Sequence, residues 1–173
     1  DPRPEEIDIL DIAHSLSMQC RFNGHCNRFY SVAEHSVHVS KILDPIHNMW
    51  GLMHDSTEAY LSDVPRPIKQ NLLVHEPGKS GLDPFARFEA RLMRMIAIRF
   101  LITEIMPLEV HHADMQMLAT EKVALMGKEP ANWGPLPVSL DPSMIQCWTP
   151  EQAEIAFMMR FQELGGLKNG CRS

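Results

Sequence analysis

Residues 51–69 read GLMHDSTEAYLSDVPRPIK, and the reading of this stretch decides the fold. Leu52, Met53, Ala59, Tyr60 and Leu61 give it the apolar content of a helix meant for a core. Yet His54, Asp55, Glu58 and Asp63 crowd four titratable groups into ten positions. Successive helical residues sit about 100° apart around the axis. Glu58, four after His54 and three after Asp55, therefore shares a face with both. Three groups competent for metal ligation or proton transfer then point one way. Desolvated carboxylates cost several kcal/mol, and a divalent cation compensates them. The plain alternative is a solvated face with an incidental histidine, and a His-Asp pair alone does not exclude it.

Partners for such a site lie on either side in the chain. SVAEHSVHVSKIL (31–43) opens with Ser31 and Glu34 at capping-box spacing and carries His35 inside the helix so begun. VHHADMQMLATEK (110–122) carries Asp114 beside Met117 and Leu118, on an expected core face. A His, a His-Asp pair and a distant Asp on three helices can build a metal site inside a bundle. Further helices are predicted over 7–18, 46–61, 83–100, 107–126 and 149–164, the third of these with Asp83 as N-cap and Pro84 at its first position. Pro65 and Pro67 stop the 46–61 helix, and Gly165-Gly166 stops the last. The stretches 71–82 and 127–148, rich in Pro and Gly, are predicted to be irregular, and no alternating strand pattern is present. The expected architecture is all-α, a single domain over 1–173, with the motif-bearing part at about 7–126 and the C-terminal helix at about 149–164.

Composition narrows the function classes. With 173 residues, 45% hydrophobic and 22% charged, the chain can bury one sizeable core. A net charge of −6 argues against broad attraction to a nucleic acid polymer or an anionic membrane. The longest apolar run, LMRMIAIRFLITEIM (92–106), is interrupted by Arg94 and Arg99 and reads as a core helix. Cys20, Cys26, Cys147 and Cys171 match no zinc-finger or redox spacing and are expected to be reduced thiols of a cytoplasmic protein. No signal peptide is visible, and the start at Asp1 implies a short missing N-terminal piece.

At these residues the chain resembles the HD-domain phosphohydrolase superfamily, whose ordered H…HD…D signature falls on His35, His54-Asp55 and Asp114. HDSTEAYLSDVPRPIK (54–69) is similar to the segment of bacterial 5′-deoxynucleotidases that reads HD, Glu, Asp-x-Pro and Pro-x-Lys. CRFNGH (20–25) supplies Arg21 and Phe22 where those enzymes carry an Arg and a bulky aromatic, though the offset to His35 is one residue shorter and the aromatic is Phe where they have Trp. DIAHSLSMQCRFNGHCNRFYSVAEHSV (11–37) looks like phage and prophage HD proteins, phage dATP triphosphohydrolases among them. The resemblance covers roughly 1–126 and implies an HD-type helical bundle.

It also implies roles. His35, His54, Asp55 and Asp114 become ligands of a divalent metal, Mn, Co, Zn or Mg, with room for a second metal brought by substrate phosphates. Glu58 becomes the general acid or base, and Asp63 orients water or Glu58. Arg21 and Lys69 hold phosphate oxygens, and Phe22 packs on the sugar against a 2′-hydroxyl. Arg66, with Lys79, Arg87 and Arg91, supplies the extra cations a triphosphate requires. His111, three before Asp114, is a candidate phosphate neighbour, a surface role being the alternative.

The expected activity is metal-dependent hydrolysis of a small 2′-deoxynucleotide, a dATP or dNTP triphosphohydrolase cleaving beside the 5′ oxygen. A 5′-deoxynucleotidase acting on dNMPs is the alternative substrate reading. A non-catalytic nucleotide-binding HD module is the alternative from another class, disfavoured because the ligands and Glu58 are intact. An HD-type di-iron oxygenase needs paired histidines that His38 and His111-His112 do not provide at the right spacing. By family analogy the protein is a homo-oligomer with an interface in the 83–106 helix, in the cytoplasm of the cell or of a phage host.

Overall fold

A computed structural model describes residues 2–75, 80–127 and 133–166, the side chain of Arg66 excepted; Lys79 lies outside the described residues. The helices are α1 (Ile9–Met18), α2 (Val32–Ile42), α3 (Asn48–Met53), α4 (Glu58–Leu61), α5 (Arg66–Lys69), α6 (Phe85–Phe100), α7 (Leu108–Leu125) and α8 (Pro150–Glu163). The chain is mostly helical, as its periodicity predicts. No helix among the described residues is long and apolar enough to cross a membrane.

Every residue of α2 from Val32 to Ser40 is buried. It is the central rod, with α1, α3, α7 and α8 packed on it. One apolar cluster joins Ile12, Leu16, Val37, Leu52, Met53, Ile96, Phe157 and Phe161. A second, with Tyr30, Val39, Met117, Leu125 and Ile145, lies under α7. Met117 is fully buried, as expected of its face of α7, while Met93 and Met95 pack partly buried against the first cluster. Tyr60, expected in the core, is 43% exposed.

The helix predicted over 46–61 is broken. Between α3 and α4 the N–H groups of Ser56, Glu58, Ala59 and Tyr60 bond carbonyls three residues back. That is 3-10 winding. His54 Nδ1 sits 2.7 Å from the Gly51 carbonyl, the acceptor an unbroken helix gives to the Asp55 N–H. Side-chain competition of this kind, in a run of His, Asp, Ser and Thr, explains the break.

Gly51 fixes how near α3 lies to α2. A Cβ there would stand 2.9 Å from Ser40 Cα and 2.5 Å from Leu43 Cδ1. Only glycine permits that approach, and it carries His54 toward His35.

Three other expectations change. Pro84, not Asp83, caps α6. Asp83 belongs instead to a two-residue antiparallel ribbon, β1 (Leu73–Val74) with β2 (Asp83–Pro84), in register Leu73 opposite Pro84. The capping box at Ser31 is half made: Ser31 accepts the Glu34 N–H. The Glu34 carboxylate turns away to accept N–H groups from Gln146, Cys147 and Trp148 at 2.8, 2.9 and 2.7 Å. The described part of the tail, 133–148, is irregular apart from the short 3-10 helix Pro142–Met144, and it is thereby pinned to α2 before Thr149 and Gln152 form a complete capping box on α8.

Two substitutions test this framework. Gly51→Ala should cost about 1–3 kcal/mol, because backbone must move to admit the methyl. Glu34→Ala should cost about 3 kcal/mol or more, since it removes a charged acceptor from three N–H groups. Urea titration measures both, and unchanged midpoints would contradict the packing described.

Candidate metal centre

His35 comes from the first turn of α2, His54 and Asp55 from the tight turn after α3, and Asp114 from the second turn of α7. Their polar atoms converge. His35 Nε2 lies 3.2 Å from His54 Nε2, 3.3 Å from Asp114 Oδ1 and 3.6 Å from Asp55 Oδ2. His54 Nε2 lies 3.3 Å from Asp55 Oδ2 and 4.0 Å from Asp114 Oδ1. The ligating atoms of His35, His54 and Asp55 all fall within 4.8 Å of one another, so these three could hold a metal ion. The His35 side chain is fully buried, whereas those of Asp55 and Asp114 are 19% and 24% exposed. The site is closed on its α2 side and open on its carboxylate side.

The donor set suits a cation. His54 Nδ1 faces a carbonyl, which only accepts, so the ring's hydrogen is assigned to Nδ1 and its Nε2 presents a lone pair. His35 Nδ1 faces the Glu121 carboxylate at 2.5 Å, which directs its Nε2 to the same point. Two imidazole nitrogens and two carboxylates aimed at one place repel unless a proton or a metal lies among them. Without a metal, a proton serves. Burial and the Arg21 charge oppose protonation of His35, but Glu121 and Asp114 outweigh them and carry its pKa up to about 9. Burial likewise opposes ionisation of Asp114, and His35, His54 and Arg21 overcome it, holding the carboxyl well below its ordinary range.

Glu121 is absent from the sequence-derived set. It has no exposed surface and joins two of that set's members, His35 through Nδ1 and Arg21, whose Nη2 lies 3.3 Å from its Oε2. Burial raises the Glu121 pKa, and Arg21 and His35 more than reverse this, to about 2. The sequence offers one signal: Glu121 follows Asp114 by seven residues, two helical turns along the same stripe.

Arg21 reaches the cluster but spends its guanidinium on protein carboxylates. Nη1 is 3.2 Å from Asp55 Oδ2, Nη2 faces Glu121, and the side chain is 10% exposed. It brackets Asp55 and Glu121, where a phosphate clamp was expected. Phe22 follows in a left-handed backbone conformation, φ 57°. Its ring lies 5.3 Å from the Arg21 guanidinium and 6.2 Å from the Trp133 ring.

Glu58 begins α4 and is buried, with Oε2 lacking any hydrogen-bond partner. Burial, then the charges of Asp55 and Asp63, push its pKa well above the usual carboxylate range. Lys69 Nζ lies 4.0 Å from Glu58 Oε1 and 2.7 Å from Glu89 Oε1, so Glu89 of α6 is a second residue the sequence does not flag. Gln19, also unflagged, donates to the Glu58 carbonyl and accepts the Asp63 N–H, bracing the turn that carries both acids. The Arg66 side chain lies outside the described residues. His111 has its ring 6.4 Å from that of His112. Among the described residues no ion pair ties His111 to the cluster. The arrangement can hold one divalent cation beside a buried, protonatable carboxyl group.

No model of a known protein family matches the chain. It is 35% identical over 166 residues to YfdR, an uncharacterized protein of Escherichia coli (strain K12), across 95% of this chain and 88% of that one. An uncharacterized protein of Rhodobacter capsulatus is 33% identical over 122 residues, which cover 65% of this chain and 58% of that protein. By the first of these likenesses, which runs nearly end to end, the chain belongs to the YfdR family.

Proposed function

We propose that this protein is an HD-type metal-dependent phosphohydrolase of 2′-deoxynucleotides, cleaving at the phosphorus next to the 5′ oxygen. The observation that carries the reading is the convergence of His35, His54, Asp55 and Asp114 from three parts of the bundle, with Glu58 buried beside them. These four side chains would hold the divalent metal, Mn, Co, Zn or Mg. When bound, the cation supplies Lewis-acid charge and a lowered pKa for water at the site.

The chain's own residues divide the remaining work. Glu58, held protonated by its surroundings, gives its proton to the departing 5′ oxygen through the otherwise unpartnered Oε2. Asp63 keeps negative charge near Glu58 and so keeps that proton in place. Lys69, steadied by Glu89, meets phosphate oxygens on the open side. Phe22 lies beside Arg21 at the cluster's edge, where a deoxyribose would rest. Arg21 and Glu121 set the orientation of Asp55 and His35.

A deoxynucleoside triphosphate, dATP first, is the leading substrate. The commitment of Arg21 to Asp55 and Glu121 favours a second reading, a dNMP 5′-nucleotidase, because a monophosphate requires fewer free cations. Arg87, one of the further cations considered, is paired with Asp83 at the surface.

Incubating the protein with each metal and a panel of dNTPs, dNMPs and ribonucleotides tests the reading by chromatography. Release of triphosphate from dATP supports the first substrate, and phosphate from dAMP alone the second. No release with any metal, with nucleotide still bound, would replace the enzyme by a binding module. Glu58→Gln should lower turnover about 10²–10⁴-fold while metal affinity stays put. Glu121→Gln should weaken metal binding about 10–100-fold by calorimetry, through loss of the carboxylate behind His35.

A further inference from the structure

Cys20 and Cys26 bracket the tight turn Arg21–Gly24. Their sulfurs stand 3.6 Å apart, in van der Waals contact. Both are free thiols and only partly buried. The contact is built by the backbone. Phe22, Asn23 and Gly24 run at φ 57°, 51° and 75°, three successive left-handed residues that coil the loop back on itself. Both ends are tied to the scaffold, since Cys20 bridges Ser31 and the Asn27 N–H bonds the Leu125 carbonyl at 3.0 Å. Non-glycine residues in this conformation persist only where the surroundings over-determine them.

We propose that Cys20 and Cys26 are a reversible modification site, closing to an intrachain disulfide on reaction with a low-molecular-weight disulfide such as oxidised glutathione. The inference does not depend on the hydrolase reading. Cys20 attacks one sulfur of the small disulfide, releasing one small thiol and leaving a mixed disulfide. Cys26 then gives up its proton and attacks Cys20 Sγ, releasing the second small thiol. The balance is one small disulfide reduced to two thiols and one protein dithiol oxidised. The order follows from the surroundings: the Cys26 thiol donates to the Arg28 carbonyl at 2.9 Å. Burial and the adjacent Cys20 push the Cys26 thiol up to about 11, so Cys26 is the resolving partner. The closed ring would contain Arg21, the bracket between Asp55 and Glu121. Cys147 packs against the same apolar cluster as Cys26 and serves as an internal control.

The test treats the full-length native chain with oxidised glutathione, blocks remaining thiols by alkylation, and maps peptides by mass. The expected product is a Cys20–Cys26 link that has lost two hydrogen atoms, with Cys147 still alkylated and dithiothreitol restoring both thiols. Cys26→Ser should stall at the mixed disulfide on Cys20. Should that variant misfold, the wild-type map decides by itself. Retention of both thiols through the incubation, or a Cys26–Cys147 link in their place, would overturn the proposal.

Discussion

The fold turns on a carboxylate that has no access to water. Glu121 of α7 is fully buried and keeps its charge because Arg21 approaches from one loop and His35 from α2. Breaking one partner from such an arrangement leaves an uncompensated buried charge, at a cost of about 3–5 kcal/mol. The constraint therefore reaches beyond stability. It fixes which His35 nitrogen faces His54 and Asp55, places the guanidinium against Asp55, and sets the rotation of α7 that brings Asp114 to the same point.

A second constraint works from the other side. Gly51 lets α3 touch the backbone of α2, and the helix then tightens into 3-10 winding through His54 to Thr57. At about three residues per turn, positions three apart eclipse. Asp55 and Glu58 thus stack more directly than in a regular helix. The Asp55 carboxylate and the buried Glu58 acid come from one turn of backbone, and the Gln19 side chain clamps that turn's outgoing end.

Much of this was legible in the sequence. Apolar periodicity located α1, α2, α7 and α8 to within a residue or two, since each has a capping residue or proline at its start. The four clustered residues were legible because His and Asp on helices otherwise bound for a core stand out. The break at His54 was not, because periodicity is blind to a side chain that takes a carbonyl from its own ladder. Nor was Glu121, whose place in a mixed face of α7 looks like ordinary surface charge until the fold brings Arg21 across 100 residues of chain. The contacts of Arg21 with Asp55 and Glu121 were not legible either, because both partners lie far along the chain and only the fold brings them to the guanidinium.

The hold of Glu34 on residues 146–148 orders events during synthesis. Glu34 sits one residue before His35, and its three N–H partners come from a part of the chain made long after α7. While a nascent chain has emerged only as far as α7, all four clustered side chains are already outside the ribosome. The rod that positions His35, however, then has His38 beside the Glu34 carboxylate but not the three N–H groups that later close over it. The packing around α2 is therefore completed only when residues 146–148 arrive, after all four clustered residues have been made.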